Sequence, residues 1–449
     1  MSLAHPENRP PLKGAHYPAM NIKITTQAAT SLIRPSGSTR YIVFKIKGEA
    51  DGPDNPRVPL NLSLVLDQSG SMAGQEKLEL VKKAAAFVID HLVEQDRISL
   101  VGFDDEIVVV GPACPATQTN RQLLKAGLHK LKPGGSTKLS EGWLRGIQEV
   151  AKSQSEGVFI NQVWLFTDGQ AQQGITDPEE LATQAGQFRR QGIITTTFGF
   201  GNDTEENLLE AIGEKGGARF QHIREARKIP QAFAGELQER LQTVGRELAL
   251  QINLPAGIEL ENLNDFEMSR TEGRAIIRLG DVFAGEEKQV VIKLKLPSGT
   301  IGQVLRPEAI LMYSEPLTGA GREVRPTEQI SLTYAPHNKV DAERLEPESA
   351  GIVGRMLVER ARKEMLEANR RREFRKVPVI LERLRGHLSR AHLLDAPGVA
   401  RLLNELEQQS QDAGQALLDA SVRKAMHYQA YTAQKSYRDY NISPPEDKI

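Results

Sequence analysis

Several features are scarce in this 449-residue sequence, and each scarcity excludes a class of protein. With Cys114 as the one cysteine, neither an intramolecular disulfide nor a cysteine-rich zinc site can form, which fits a reducing compartment. The 58 Asp and Glu residues offset 57 Lys and Arg residues, so the formal net charge is −1. This balance excludes a chain that is basic throughout and coats nucleic acid, and we expect no nucleic-acid partner. No apolar run approaches the roughly 18 residues of a membrane span.

The two ends of the sequence are polar. Residues 1–20 are rich in proline, lack the apolar core of a signal peptide and are expected to be disordered. Residues 441–449 are expected to form a loose tail. The remaining length suggests about three domains at roughly 150 residues each, and the 39% of hydrophobic residues can supply their cores. We therefore expect a soluble, cytoplasmic, multi-domain protein.

Residues 58–243 alternate short apolar runs with helical patterns. The runs LNLSLVL (60–66), RISLVGF (97–103), EIVVVG (106–111) and NQVWLFT (161–167) are typical of buried strands. Amphipathic stretches and short connections separate most of them. This alternation predicts an α/β domain, a parallel sheet with helices on both faces.

Strand patterns without helices lie on both sides of this domain. Residues 21–55 hold two alternating segments, and residues 245–336 hold several more with Pro and Gly turns between them. The later segments are typical of an antiparallel β-sandwich. Because the first two strands have no partner of their own, we hypothesise that they join the later sheet. The α/β domain would then be inserted into the β-sandwich.

The last large region, residues 338–440, is predicted to be helical, with Pro378 and Pro397 dividing it into about three helices. Within it, residues 355–390 hold twelve basic residues against five acidic ones, a local balance of +7. Two interpretations stay open. The stretch is either a solvated helical face with i,i+4 ion pairs or a docking surface for an acidic partner protein.

Oxygen-bearing side chains follow two of the predicted strands and precede one predicted helix. Asp67, Ser69 and Ser71 come directly after LSLVL, Asp168 follows VWLFT, and Thr137 lies in GGST before a helix. Ligands of open parallel sheets bind at the carboxyl ends of the strands, so we expect these residues at one sheet edge. The sequence therefore predicts a site of three hydroxyls and two carboxylates.

Such oxygen donors suit a hard divalent cation, Mg²⁺ or else Mn²⁺ or Ca²⁺, rather than a thiophilic metal. The alternating spacing of Asp67, Ser69 and Ser71 lets all three side chains point one way, and the intervening glycine lets the backbone approach the ion. Two carboxylates only neutralise a divalent ion. An open coordination position would then still attract a third carboxylate from a partner.

The segments LDQSGSM, GGSTKL and FTDG, in this order, resemble the von Willebrand factor A-type (VWA) domain with its metal-ion-dependent adhesion site (MIDAS). The resemblance covers about residues 60–243, and the segment from FGFGNDTEENLL to ARFQHI is similar to the last βαβ unit of bacterial members. It implies a Rossmann-like domain. It also implies that the serines and the threonine bind the ion directly, and the aspartates directly or through water. The five positions are Asp67, Ser69, Ser71, Thr137 and Asp168. The strands flanking the domain resemble the layout of inter-α-trypsin heavy chains and calcium-activated-channel-like proteins.

The resemblance implies metal-dependent protein–protein recognition without catalysis, in which the ion accepts an Asp or Glu side chain of a partner. We expect an adaptor or assembly factor. One alternative is a partner subunit of an AAA+ ATPase of the MoxR or chelatase type. In the family, capture can be coupled to movement of the last helix, here about 228–243. A remote alternative is a metal-dependent hydrolase, for which the sequence offers no general base.

Other reactive residues have simpler interpretations. No GxSxG elbow surrounds Ser69 or Ser71, which argues against a nucleophile. The nine histidines are scattered without metal-ligand spacing, and Cys114 is expected to be a structural thiol. The glutamates of NELEQQ (404–409) could supply an intramolecular carboxylate that closes the site.

Overall fold

A computed structural model describes residues 21–49, 57–168, 171–200 and 206–435. The expectations for residues 1–20 and for the tail 441–449 lie outside the described residues. The strands are β1 (Asn21–Ala28), β2 (Leu32–Ile33), β3 (Ser38–Glu49), β4 (Leu60–Asp67), β5 (Arg97–Phe103), β6 (Ile107–Pro115), β7 (Ile160–Thr167), β8 (Ile193–Phe200), β9 (Gly217–Ile223), β10 (Thr243–Asn253), β11 (Glu259–Asn262), β12 (Glu267–Thr271), β13 (Arg274–Phe283), β14 (Glu287–Leu296), β15 (Val304–Leu305), β16 (Glu308–Ser314), β17 (Gly321–Val324) and β18 (Leu332–Tyr334). The helices are α1 (Lys77–His91), α2 (Gln118–Leu128), α3 (Leu139–Ser153), α4 (Pro178–Arg190), α5 (Glu206–Lys215), α6 (Ile229–Leu241), α7 (His337–Ala342), α8 (Pro347–Arg370), α9 (Lys376–Arg390), α10 (Val399–Ala413) and α11 (Ala420–Lys435).

The central domain is built on a six-stranded sheet in the order β6-β5-β4-β7-β8-β9. Five strands are parallel, and every residue of β4, β7 and β8 is buried. The edge strand β6 runs antiparallel to β5, because the short turn at residues 104–106 leaves no room for the crossover that a parallel strand needs. Helices α1, α2 and α6 cover one face and α3, α4 and α5 cover the other. The predicted α/β domain with helices on both faces is confirmed.

The strands before and after this domain form a β-sandwich around a second core. One sheet has the order β1-β3-β14-β11, and the other has the order β12-β13-β10-β16-β17. Strand β3 precedes the α/β domain in the chain and β14 follows it, yet the two pair along their length, from Lys47 opposite Glu287 to Ser38 opposite Leu296. The α/β domain is therefore inserted into the sandwich.

The helical region packs on the outer face of the four-stranded sheet. Along β3, Ile42 and Phe44 point into the sandwich core, whereas Tyr41 and Val43 point outward against α8 and α9. This alternation follows from the two-residue period of a strand. Both faces of β3 are therefore buried, which joins the sandwich and the helices into one body.

The prediction of about three helices after residue 338 is wrong in the number of helices and in the position of the break assigned to Pro378. Within the described residues, five helices follow residue 336, and Pro378 lies inside the first turn of α9. Proline is tolerated there because the first N–H groups of a helix have no intrahelical acceptor. The chain instead breaks between α8 and α9, at residues 371–375, where Arg372 has a φ of 59°.

Helix α11 returns to the central domain. Its Tyr428 and Tyr431 rings pack against Phe220 of β9, and the Phe220 N–H donates to the Tyr431 hydroxyl at 3.1 Å. The Lys435 ammonium lies 3.1 Å from the Glu214 carboxylate on α5. None of the helices in the described ranges combines the length and the apolar character needed to cross a membrane.

The packing of α11 on β9 predicts that the free energy of unfolding decreases at acid pH. His222 lies against Tyr428, and its burial, together with the nearby charges of Lys424 and Arg224, lowers its pKa to about 3. Below the ordinary pKa of 6.5 the unfolded chain gains a proton that the folded one refuses, so stability falls as the pH drops towards 3. The loss approaches about 1.4 kcal/mol per pH unit. Urea unfolding at pH 5 to 7 should show a shallower pH slope for His222→Phe, and equal slopes would contradict this prediction.

Candidate metal site

The candidate site lies at the carboxyl edge of the central sheet, where β4 and β7 end side by side. These strands are parallel neighbours, with Leu66 opposite Phe166. Asp67 is the last residue of β4, and Asp168 directly follows β7. The two aspartates therefore leave adjacent strands at the same edge, as expected for ligand-binding residues of a parallel sheet.

Asp67 is fully buried and held by two hydrogen bonds. The Ser69 N–H donates to its Oδ1 at 2.7 Å, and the Thr167 hydroxyl donates to its Oδ2 at 2.5 Å. Burial, together with the charge of Asp168, raises the pKa of Asp67 to about 6 despite these hydrogen bonds. A carboxylate in this condition is one that a bound cation would stabilise.

Asp168 is also buried, and its two oxygens have different partners. The Ser71 hydroxyl donates to Oδ1 at 2.7 Å, and the hydroxyls of Ser69 and Ser71 lie 3.1 Å apart. The ammonium of Lys77 donates to Oδ2 at 2.5 Å. The two serine hydroxyls and the two aspartates thus form one hydrogen-bonded group, from Asp67 through the DxSxS turn to Asp168.

Thr137 joins this group through the loop that carries it. The Gly134 N–H donates to the Gln68 carbonyl at 2.8 Å, and the Gly70 N–H donates to the Gly135 carbonyl at 3.2 Å. Thr137 itself is buried. These backbone hydrogen bonds hold the GGST loop, and with it Thr137, against the DxSxS turn.

One glycine of this loop is required by its surroundings. Gly135 has a φ of +62°, and a Cβ atom on it would lie 1.9 Å from the Oδ1 of Asp105. Any side chain would therefore combine a disfavoured backbone conformation with a steric clash. The close approach also brings the turn after β5 to the rim of the site.

Asp104 and Ser136 hold loops at this rim. Asp104 accepts hydrogen bonds from the Gln68 side-chain amide at 3.0 Å and from the Glu106 N–H at 2.8 Å. The Ser136 hydroxyl accepts from the Gln173 amide at 2.7 Å. Their oxygens are engaged in positioning the surrounding backbone.

The donor set fits a hard divalent cation. Two carboxylates and two serine hydroxyls form one group at this edge, and the loop that carries Thr137 packs against it. All of these side chains offer oxygens of the kind that Mg²⁺, Mn²⁺ and Ca²⁺ bind. Across the part of the chain that the structure describes, no group of three or more His, Cys, Asp or Glu residues is placed to hold a metal. A site at this edge therefore depends on its hydroxyl oxygens.

Sequence reasoning missed Lys77. It is the first residue of α1 and lies six positions after Ser71, beyond the DxSxS motif, so no rule of ligand spacing selects it. One pattern in the sequence could have indicated it: a lysine begins the helix that follows a strand ending in an aspartate. Its ion pair with Asp168 places a positive charge directly at the site.

The basic stretch at residues 355–390 is largely occupied by ion pairs within the chain. Several of its side chains connect α8 to the sandwich and to α5. These pairs are Arg360–Glu261 at 2.8 Å, Lys363–Asp265 at 2.6 Å and Arg370–Glu206 at 3.5 Å. The stretch therefore contributes to the contacts between the helices and the rest of the chain, a role that differs from both interpretations drawn from the sequence.

The glutamates of NELEQQ form ion pairs with arginines of the helical region. Glu405 forms an ion pair with Arg401 at 3.0 Å, and Glu407 with Arg385 at 2.5 Å. Both lie on α10, which packs against α8 and α9. Closure of the site by these carboxylates would require breaking these pairs.

Comparison with known proteins agrees with this architecture. The family model described as the von Willebrand factor type A domain matches residues 61–235. The uncharacterised protein sll0103 of Synechocystis sp. is 30% identical over 322 residues, which cover 68% of this chain and 74% of that protein. The human inter-alpha-trypsin inhibitor heavy chain H3 is 30% identical over 211 residues, 46% of this chain and 22% of that protein.

A solved structure extends the likeness beyond the central domain. The von Willebrand factor type A protein from Catenulispora acidiphila superposes with a TM-score of 0.64 over 85% of this chain and 91% of its own, at 17% sequence identity. At this identity the match concerns the fold alone. Together with the family model and the relative from Synechocystis, it shows that this chain belongs to the von Willebrand factor type A domain family.

Proposed function

We propose that this chain is a metal-dependent protein-interaction module that captures an acidic side chain of a partner protein at a MIDAS site. The observation that supports this proposal is the grouping of two buried carboxylates and two serine hydroxyls at one sheet edge, with the loop that carries Thr137 held against them. The ligands are Asp67, Ser69, Ser71, Thr137 and Asp168, with Mg²⁺ as the expected ion. VWA domains typically mediate protein–protein interactions, which agrees with this role.

The bound ion supplies a positive centre with an open position for a carboxylate oxygen. The residues of the chain prepare that position. Asp67 is fixed by Ser69 and Thr167, so its oxygens need no reorganisation when an ion arrives. Asp168 holds the Ser71 hydroxyl in line with that of Ser69. We propose binding rather than catalysis, because these hydroxyls bond to each other and to Asp168 instead of to a histidine that could act as their base.

Capture of partners from a cell extract tests the proposal. Tagged full-length chain should retain at least one protein in Mg²⁺ and lose it in EDTA, because the partner's carboxylate then has no cation to bind. Asp67→Asn should lose the same protein in Mg²⁺. Mass spectrometry identifies the retained proteins, and an AAA+ ATPase among them would specify the adaptor as an ATPase partner.

Asp90→Asn is the matched control, since it makes the same acid-to-amide change at an exposed position of α1, where Asp90 pairs with Lys125 and contacts none of the proposed ligands. This variant should retain the partner in Mg²⁺. Retention of every partner in EDTA, or equal losses in both variants, would contradict metal-dependent capture at this site.

A further inference from the structure

Within the described ranges, Lys77 is the cationic side chain that the structure places against Asp168 of the candidate site. Its ammonium donates to Asp168 Oδ2 at 2.5 Å and is mostly buried. The charge of Asp168 also acts on Asp67, so the ammonium adjoins a pair of interacting carboxylates. A buried lysine next to a site for a divalent cation is unfavourable for that cation, because like charges repel strongly away from water.

The backbone directs Lys77 towards the site. A turn of 3₁₀ helix, Gly70–Glu76, carries Ser71 and ends at Glu76, which has a φ of 54° and a ψ of 24°. This left-handed conformation is disfavoured for a residue with a side chain and marks the junction between the 3₁₀ helix and α1. Lys77 follows immediately and reaches back to Asp168. Strain at this position therefore serves the placement of the lysine.

The ion pair and the hydroxyls use different oxygens of Asp168. Lys77 occupies Oδ2, whereas Ser71 occupies Oδ1 on the side of the serine cluster. A cation that engages the hydroxyl side thus has no need to displace the ammonium. Lys77 and a divalent ion can be present together.

The net charge of the ion-loaded site determines which ligand it prefers. Asp67 and Asp168 contribute two negative charges, a divalent ion two positive charges, and Lys77 one more. The ion-loaded site carries a net charge of +1, whereas the two aspartates alone would leave it neutral. Two further carboxylates at the rim lie outside the proposed ligand set. Asp104 is half-buried and accepts from Gln68 and the Glu106 N–H, and Asp105 is exposed beside Gly135, so water and salt screen its charge.

We propose that Lys77 is a specificity-determining residue that keeps the ion-loaded site cationic, so that it selects one carboxylate over neutral oxygen ligands. This inference rests on the proposed function and adds the charge of the preferred ligand. Lys77 lowers the affinity for the ion and raises the affinity of the loaded site for an anion. Capture of one carboxylate brings the site to neutrality.

Two binding measurements on the full chain test this role. Calorimetry with Mn²⁺ alone gives the ion affinity, and broadening of the acetate methyl resonance by the bound Mn²⁺ gives the carboxylate affinity. Lys77→Met should bind Mn²⁺ about tenfold more tightly and acetate about tenfold more weakly than the wild type, since a charge beside the ion is lost. Lys77→Arg should restore both values towards the wild type.

Lys83→Met is the matched control, because it removes the same charge from an exposed position of the same helix. It should leave both affinities unchanged. Equal Mn²⁺ and acetate affinities in Lys77→Met and the wild type would overturn the role of Lys77. The proposed function fails separately, if wild-type protein binds no Mn²⁺ or if Asp67→Asn binds it equally well.

If Lys77→Met is less stable than the wild type, thermal unfolding with and without Mn²⁺ still tests the role of Lys77. Without metal, this variant leaves two buried carboxylates with no cation, so its melting temperature should fall in EDTA. Addition of Mn²⁺ should then raise the melting temperature more than in the wild type. An equal or smaller rise would overturn the proposal.

Discussion

Glu236→Ala is expected to lower the free energy of unfolding of the central domain by about 3–5 kcal/mol. The Glu236 carboxylate is fully buried and accepts hydrogen bonds from Arg219 at 2.5 Å and from Arg240 at 2.8 Å. Without it, two arginines would be left in the interior with too little negative charge. Both tryptophans, Trp143 and Trp164, are buried in this domain, so urea unfolding followed by tryptophan fluorescence reports on it directly.

Glu239→Ala provides the matched control for this prediction. Glu239 also pairs with Arg219, but it is partly exposed, so water can replace it. Its removal should lower the free energy of unfolding by about 1 kcal/mol or less. Similar decreases in the free energy of unfolding of the two variants would contradict the prediction that the buried carboxylate contributes more to stability than the partly exposed one.

The same network connects the last helix of the central domain to the sandwich. Arg240 lies on α6, and its guanidinium is 3.6 Å from Asp281 of β13 and 4.9 Å from the centre of the Phe283 ring. Glu236, one turn earlier, connects α6 to Arg219 of β9. The hypothesis that ligand capture moves this helix therefore has a defined first contact, since a shift of α6 would act directly on β13.

The α/β domain and its insertion into the sandwich were predictable from the sequence, because buried and half-buried strands have recognisable patterns of apolar residues. Strand β4 is buried on both faces, and β3, which pairs with β1 on one edge, needs a partner on its other edge that the α/β domain does not supply. The helical region was harder to divide. Pro378 marks a boundary in sequence statistics, yet the first turn of a helix accepts proline, so the true break depends on the packing around residues 371–375.

The candidate site was predictable for a different reason. Four of its five proposed ligands lie at or just after strand ends, which converge in any parallel sheet, and Thr137 lies in the loop before α3. Lys77 was not predictable in this way, because its contact with Asp168 depends on the left-handed turn at Glu76. The docking of α11 on β9 was also missed, since a long-range contact such as that of Tyr431 with Phe220 leaves no local pattern.

Asp67→Asn is expected to have opposite effects on ion binding and on the stability of the metal-free protein. The amide keeps the size of the side chain but removes a charge from the proposed ligand set, so Mn²⁺ affinity should fall by about a hundredfold or more in calorimetry. In EDTA, the same change should raise the free energy of unfolding by about 1–3 kcal/mol. The raised pKa of Asp67, about 6, shows that its buried charge opposes folding.

The sign of the stability change follows from proton linkage. An acid whose pKa is higher in the folded protein weakens the fold at pH values above its unfolded pKa, and the penalty is complete above the folded one. At pH 7.5 the metal-free wild type therefore bears the full penalty, and the asparagine variant bears none. Saturating Mg²⁺ should reverse the order, because the ion stabilises only the wild type. A variant less stable than the wild type in EDTA would instead mean that the hydrogen bonds of Asp67 to Ser69 and Thr167 outweigh its buried charge.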